Sequence, residues 1–294
     1  MAPAGSGYDD RDGFIWMDGN LVEWRQANVH ILTHGLHYAS AVFEGERAYG
    51  GHIFKSEAHS KRLIASGMAM DIPVPYTVEE IEQAKAVTMK ANDLSDAYVR
   101  VICWRGAGLD MGVASARNPI RMAVAVWPWG SYYGDAKLKG AKLAVAKWRR
   151  PSPETIPCHA KASGLYMICT MSKHAAEAEG CSDAMMMDYR GYVSEATGAN
   201  IFFVKNGAVH TPTPDCFLNG ITRQTVIEML RGQGVEVIER HIMPSELEDF
   251  EQCWLTGTAA EVTPVGKIGD YSFEVGSMVK DIAAQYERVV RGNH

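Results

Sequence analysis

The sequence predicts an α+β (α/β) architecture in two domains, a small N-terminal one over residues 1–135 and a larger C-terminal one over 136–294. Three observations lead there. The chain has 294 residues and is 47% hydrophobic, which is enough for one large core or two of ordinary size. Period-two apolar runs with glycine-containing turns alternate along it with segments of helical period. A loop-like run, Trp129-Gly-Ser-Tyr-Tyr-Gly134, then Pro151, Pro153 and Pro157, marks a candidate connection near the middle.

In order along the chain, Phe14-Ile-Trp and Leu21-Val-Glu-Trp flank Asp18-Gly19-Asn20 as a hairpin. Val42–Tyr49 pairs with His52–Lys55 across Gly50-Gly51, and Ser56 caps a helix running to about Met70. Thr77 and Glu80 have capping-box spacing ahead of an amphipathic helix with Val78, Ile81, Ala84, Val87 and Ala91 on one face. Ala97–Trp104, Pro119–Trp127 and Ala141–Trp148 are β-branched or aromatic enough for strands. In the second half Gly164–Glu179 reads as a helix stopped by Gly180, and Asp183–Asp188 and Asn200–Val204 as strands, the latter followed by the turn Asn206-Gly207. Thr222–Arg231, Pro244–Phe250 and Met278–Val290 read as helices, and Val235–Ile238 and Cys253–Thr256 as strands.

A net charge of −6 without a Lys/Arg block argues against a nucleic-acid or anionic-membrane partner and leaves a small molecule as the expected ligand. No run approaches the roughly 18 apolar residues of a membrane span. The first twelve residues lack the basic start and apolar stretch of a signal peptide. The six cysteines lie far apart, with no CxxC pair or His-rich ligand cluster, so neither disulfides nor a metal is expected and a reducing cytoplasm fits.

Three features of the second half carry chemistry. Lys161 stands among small residues in His159-Ala-Lys161-Ala-Ser-Gly164, where a flat ligand could approach closely; taken alone, such a lysine is usually a solvated surface charge. Glu195, in Tyr192-Val-Ser-Glu195-Ala-Thr-Gly198-Ala-Asn200, sits at a strand-to-turn junction from which a carboxylate could reach inward. Gly220-Ile221-Thr222 opens a helix, and Thr256-Gly257-Thr258-Ala259-Ala260 follows a strand. Both offer hydroxyls and unpaired N–H groups that suit a phosphate. His34, His37 and His159 read as structural, as do Tyr38, Phe43 and Trp129 when taken in isolation.

From about Phe14 to Ala284 the chain resembles the fold-type IV (class IV) pyridoxal-phosphate aminotransferases, the branched-chain amino acid enzymes above all. The runs that carry the likeness are His37-Tyr38-Ala-Ser-Ala-Val-Phe43-Glu-Gly45-Glu-Arg47, Trp129-Gly-Ser-Tyr132, Lys161-Ala-Ser-Gly-Leu-Tyr166, Val193-Ser-Glu195-Ala-Thr-Gly198-Ala-Asn200, Gly220-Ile-Thr222-Arg and Gly257-Thr258-Ala-Ala-Glu-Val-Thr-Pro264. The resemblance implies a cofactor held between the two domains. Lys161 would bind pyridoxal phosphate and shuttle the proton, Glu195 would pair with its ring nitrogen, and Tyr166 would hydrogen-bond its phenolic oxygen. Arg62, Ile221, Thr222 and Thr258 would hold its phosphate. Tyr98, Thr258 and Ala259 would take the substrate α-carboxylate, Phe43, Tyr38, Trp129, Tyr132 and Tyr166 would wall the side-chain pocket, and Arg100 would meet the distal carboxylate of glutamate. Arg47 belongs to the same substrate-facing run.

The implied reaction is exchange of the amino group between Leu, Ile or Val and 2-oxoglutarate. The likeness of Met111-Gly112-Val113 to a loop that reaches a neighbouring subunit implies a homodimer or a higher homo-oligomer. Rival activities on the same scaffold are D-amino acid transamination, aminodeoxychorismate lysis and (R)-amine transamination; the Phe43–Arg47 run and the Gly257-Thr258-Ala259 turn favour the branched-chain version. A catalytically silent binding protein is the reading from another class, and the complete set Arg62, Lys161, Tyr166, Glu195, Thr222 and Thr258 speaks against it. The chain departs from the family at Leu165, usually Asn, and Ala199, often a second Glu, and both bear on specificity.

Overall fold

Left-handed backbone at Asp18 and Gly19 (φ 48° and 96°) closes the first hairpin, because a two-residue turn of that hand matches the twist of the strands it joins. The computed structural model, which describes residues 7–129 and 139–292, thus begins with β1 (Phe14–Met17) paired to β2 (Asn20–Glu23). A short helix α1 (His34–Tyr38) leads to a longer hairpin, β3 (Ala41–Tyr49) and β4 (His52–Ile53), closed by Gly50 and Gly51 at φ 57° and 85°. Helices α2 (Ser56–Ala69) and α3 (Val78–Ala91) follow, then β5 (Ala97–Arg105) and β6 (Ile120–Pro128). Among the described residues these six strands form one antiparallel sheet in the order β2-β1-β6-β5-β3-β4.

Ser56 opens α2 but does not cap it. The cap position belongs to Lys55 in left-handed backbone, and the Ser56 hydroxyl instead accepts from Lys85 Nζ at 3.1 Å. The capping box of Thr77 and Glu80 is present in full on α3. Its buried face, however, runs through Ile81, Ala84, Lys85 and Thr88, while Val87 is exposed. A lysine at an inner position looks polar in sequence, but this one is a buried hub: Lys85 Nζ donates to Glu46 Oε2 and Ser60 Oγ, both at 2.8 Å, and to Glu82 Oε1 at 3.0 Å.

The second sheet is mixed. Its strands are β7 (Ala141–Val145), β8 (Asp183–Met187), β9 (Val193–Ala196), β10 (Asn200–Lys205), β11 (Ala208–Pro212), β12 (Val237–Arg240), β13 (Gln252–Gly257), β14 (Glu261–Ile268) and β15 (Tyr271–Ser272). Among the described residues the order is β12-β11-β10-β13-β14-β7-β8-β9, with β15 on β14. Helices α4 (Met167–Ala178), α5 (Ile221–Gly232) and α6 (Ser277–Val290) complete it. Central β10 and β13 are buried on both faces, Phe202 stacks on Trp254 at 5.3 Å, and Ile201, Phe203 and Leu255 are fully buried, so this core rests on aromatic and branched side chains. The sequence predicts no strand at β11 or β14. Pro244–Asp249 is a 3₁₀ helix where an α-helix is expected, and the predicted strand Ala141–Trp148 stops at Val145. Among the described residues no helix is long and apolar enough to cross a membrane.

The chain divides into two compact units at a place the sequence does not reveal. The first takes the described residues of Met1–Gly130 together with Ala160–Gly164; the second takes those of Ser131–His159 and Leu165–His294. The expected boundary at 135/136 lies outside the described residues. Residues Ala160–Gly164, expected in the C-terminal domain, belong to the first unit because Ala162 bridges to Val42 and the Phe43 N–H donates to Lys161 O at 3.0 Å.

Buried Glu46 gives this architecture a pH signature. Burial pushes its carboxyl from its ordinary 4.5 up to about 8, against the pull of the Lys85 ammonium and with Glu44 and Glu82 adding to the rise. Between those values the folded chain holds a proton that the unfolded chain releases, so stability falls as pH rises through the window. Glu46→Gln is neutral at every pH. In urea unfolding the stability of wild type relative to Glu46→Gln should therefore fall between about pH 5 and pH 8, by at most about 1.4 kcal/mol per pH unit. A difference independent of pH would contradict the assignment.

Candidate active site

Alternation along β3 sends Val42, Glu44, Glu46 and Ala48 to one side of the first sheet and Phe43, Gly45, Arg47 and Tyr49 to the other. The first set meets the helices. Glu44, fully buried, accepts two bonds of 2.7 Å from Arg62 of α2, Nε to Oε1 and Nη2 to Oε2, and a third of 2.7 Å from His59 Nδ1. Burial alone would raise this carboxyl; Arg62 and His59 outweigh it and hold Glu44 far below the usual carboxylate range. Burial also keeps His59 below the ordinary imidazole range, so its Nδ1 serves the carboxylate as a neutral N–H donor.

One turn beyond Arg62 on α2, Ser66 Oγ accepts from the Lys161 main-chain N–H at 3.0 Å. With the Phe43 bond to Lys161 O, this fixes the Lys161 main chain on both sides. The half-buried Lys161 ammonium lies 5.0 Å from the centre of the Phe43 ring. The first unit therefore brings together Lys161, Arg62 and Phe43, three of the residues expected at the site.

The other side of the sheet carries more of them. Register opposes Gly45 to Arg100, Arg47 to Tyr98 and Phe43 to Ile102. Arg100 lies over Phe43 at 4.8 Å and Tyr98 at 5.4 Å, and its Nη2 donates to the Tyr98 hydroxyl at 3.5 Å. Tyr98 stacks between Trp127 and Trp129, with centroids at 5.1 and 4.7 Å, while buried Arg47 lies over Tyr49 at 4.7 Å. Gly45 is required here: a Cβ at this position would run into the Tyr98 hydroxyl and lie 2.9 Å from its Cζ. A cavity of about 360 Å³ opens on the same face, lined by apolar side chains such as Ile15, Met17, Ile102 and Trp104, with Arg100 its one ionised group. Tyr38 stands on α1, stacked on His34 at 4.5 Å, with its hydroxyl donating to Met111 O at 3.2 Å. Tyr132 lies outside the described residues.

In the second unit Asn200, at the start of β10, links two expected regions. Its Nδ2 donates to Glu195 Oε2 at 3.1 Å and its Oδ1 accepts from the Gly220 N–H at 3.2 Å. Glu195 is buried, and Arg150 Nε lies 3.2 Å from its Oε1. Arg150 is itself anchored by donating to Leu165 O at 3.2 Å. Helix α5 begins at Ile221 after Gly220, with no side-chain cap and no acidic residue in its first turn, and Ile221 and Thr222 are buried there. Asn200 pairs with Thr256 across β10 and β13, which brings the turn of Thr258 and Ala259, both half-buried, beside the same strand. Tyr166 opens α4 and packs beside the cluster around Cys169 and Met186.

This donor set fits pyridoxal phosphate. A carboxylate held by an amide and a guanidinium suits a protonated ring nitrogen, and an uncapped helix N-terminus lacking acids suits a phosphate. The buried Thr256 Oγ1, without a hydrogen-bond partner among the described residues, offers a further polar group beside the turn. Glu44, Gly45, Ser66 and Arg150 are absent from the sequence-based site. Only Gly45 left a signal, as a glycine inside a strand. Asn200 stood in a quoted motif without a role.

Known proteins agree with this chemistry. Residues 41–268 match the family described as amino-transferase class IV. A probable branched-chain-amino-acid aminotransferase of Rickettsia conorii is 39% identical over 281 residues, 94% of this chain and 96% of that protein. The branched-chain aminotransferase of Thermoproteus uzoniensis, solved with norvaline, superposes with a TM-score of 0.91 at 34% identity over 96% of this chain and 95% of that one. The branched-chain amino acid aminotransferase of Thermobaculum terrenum, solved in its PLP form, gives 0.87 at 28% over 96% and 94%. With the family model spanning most of its length and a relative 39% identical almost end to end, the chain belongs to the class IV aminotransferases.

Proposed function

We propose that this protein is a pyridoxal-phosphate-dependent aminotransferase that moves the amino group of Leu, Ile or Val to 2-oxoglutarate, giving the branched-chain 2-oxo acid and L-glutamate. The observation that carries the reading is the Lys161 ammonium poised over Phe43, on a main chain clamped by Phe43 and Ser66, beside a strand face that is apolar except for its guanidinium groups. Branched side chains need an apolar wall and glutamate needs a cation, and Phe43, Tyr98 and Arg100 supply both. Bound pyridoxal phosphate supplies the electron sink that lets the substrate α-proton leave. The protein supplies the rest. Lys161 is the amine that takes and returns that proton, Glu195 keeps the ring nitrogen protonated, and Tyr166 bonds the phenolic oxygen. Arg62, Ile221, Thr222 and Thr258 bind the phosphate. Tyr98, Thr258 and Ala259 orient the α-carboxylate, Arg47 and Trp129 line the substrate side with Tyr132, and Arg100 receives the distal carboxylate of glutamate.

The assembly we propose is a homodimer. Ile31, Leu36, Leu109 and Val113 are 71%, 60%, 78% and 81% exposed, and His34 ties the two segments by bonding Ser40 Oγ at 2.6 Å and Gly112 O at 3.1 Å. An apolar surface held this rigidly suits a second copy of the chain, to which Tyr38 and Met111–Val113 would be presented. The compartment we propose is the cytoplasm, where the six free thiols, five of them buried, stay reduced.

Adding L-Leu to the holoenzyme should change its visible absorbance and 2-oxoglutarate should restore it, with D-Ala and (R)-1-phenylethylamine turned over far more slowly. Absence of turnover with both L-Leu and L-Val would overturn the reading. Lys161→Ala should abolish the cofactor band and lower kcat by at least about 10²–10⁴-fold. Gly45→Ala should retain that band yet lower kcat/KM by about 100-fold, because it drives the Tyr98 ring out of place; unchanged kinetics would remove Tyr98 from the substrate side. Leu109→Asp with Val113→Asp should shift the sedimentation coefficient from dimer to monomer, and an unshifted dimer would place the interface elsewhere.

A further inference from the structure

We propose that Glu44 is a positioning residue for cofactor phosphate, holding the Arg62 guanidinium in a single orientation by a two-bonded contact from beneath β3. The inference rests on the reading of Arg62 as a phosphate ligand and goes beyond it by naming what aims that ligand.

The geometry is specific. Arg62 Nε and Nη2 each reach a different oxygen of Glu44 at 2.7 Å, the fork-to-fork arrangement that fixes the plane of a guanidinium as well as its position. His59 Nδ1 occupies Glu44 Oε2 from a second side at 2.7 Å, so the carboxylate cannot rotate without breaking bonds on both flanks. Side-chain exposure is 1% for Glu44, 4% for His59 and 16% for Arg62, which puts the anchor inside and the cation at the boundary. A guanidinium has five N–H donors, and the Nη1 end is the part of the fork that Glu44 does not engage. A long side chain tethered by one edge presents the other with little residual freedom, and that favours a planar acceptor set such as phosphate oxygens. Glu46, two residues on, is equally buried but faces Lys85, so each carboxylate on this side of β3 has its own cation. Ser66, one turn along α2 from Arg62, holds the Lys161 main chain, so whatever fixes α2 against β3 also fixes the spacing of Arg62 and Lys161.

Charge and positioning make opposite predictions for this residue. A carboxylate beside Arg62 weakens the attraction for an anion, so if charge alone mattered, removing it would tighten phosphate binding. If Glu44 acts by orienting the guanidinium, removing it loosens binding despite the gain in positive charge.

The test uses the full-length chain stripped of cofactor and titrated, by visible absorbance, with pyridoxal phosphate and with pyridoxal, which lacks the phosphate. Glu44→Gln should raise the Kd for pyridoxal phosphate by about tenfold and leave that for pyridoxal within about twofold. Glu44→Asp, which keeps the charge but retracts the carboxylate, should move in the same direction, and it decides the matter if Glu44→Gln does not fold. Arg62→Ala should raise the same ratio, and adding Glu44→Gln to it should change nothing further. If Arg62→Ala raises the ratio while the Glu44 variants leave it unchanged or lower it, the positioning role is overturned and the phosphate reading stands. If Arg62→Ala leaves the ratio unchanged, the phosphate reading itself fails and takes the proposal with it. A loss of affinity equal for both ligands would mark Glu44 as a support of the fold alone and would also overturn the proposal.

Discussion

Everything in the first unit depends on the strict period of two in β3. Nine residues in extended backbone must divide between an inner side against α2 and α3 and an outer side against open space. The inner side accepts two carboxylates only because each finds a cation and at least one further donor, since an unpaired buried charge is among the costliest features a fold can carry. The outer side accepts Gly45 without a side chain because the Tyr98 ring fills the place. A slip of one residue in register would put Phe43 and Arg47 under the helices and Glu44 on the substrate side, so the buried charges also help to specify the pairing.

In the second unit Asn200 has a comparable standing. One side chain with two donors and an acceptor meets Glu195, the Leu218 carbonyl and the Gly220 N–H. The acid proposed for the ring nitrogen and the helix N-terminus proposed for the phosphate are therefore referred to one common amide. A shift of either would be felt by the other through bonds of 3.1 and 3.2 Å. Close packing strengthens the coupling, because a Cβ on Gly220 would collide with Asn200 Oδ1.

What could be read in advance follows the range of the interactions involved. Turns at Asp18-Gly19, Gly50-Gly51 and Asn206-Gly207 are dictated by residues that tolerate positive φ, and the Thr77–Glu80 box closes over three residues, so all were legible locally. The α3 face was misread at Lys85 and Val87 because hydropathy cannot see that Glu46, 39 residues away, awaits the ammonium. Lys161, Arg62 and Glu195 were legible as a set only through family likeness. Their supports, Glu44, Ser66, Arg150 and Asn200, were not, since each works through a partner whose nearness is a product of folding. Lys161 stands in the second half of the sequence and packs in the first unit, a separation that no local pattern encodes.

That last arrangement bears on how the chain is made. Synthesis delivers β1 through β6 first, yet the segment that bonds to Phe43 and Ser66 is not built until residue 164. A nascent chain with only its first 130 residues out of the ribosome has the sheet and both covering helices, but the Phe43 N–H and the Ser66 hydroxyl still lack these partners. The N-terminal half can reach its topology early, as leading domains do during translation, while the lysine arrives later on an already ordered surface. The reactive amine is thus among the last parts of its own unit to be installed, after the strand and helix that receive it are in place.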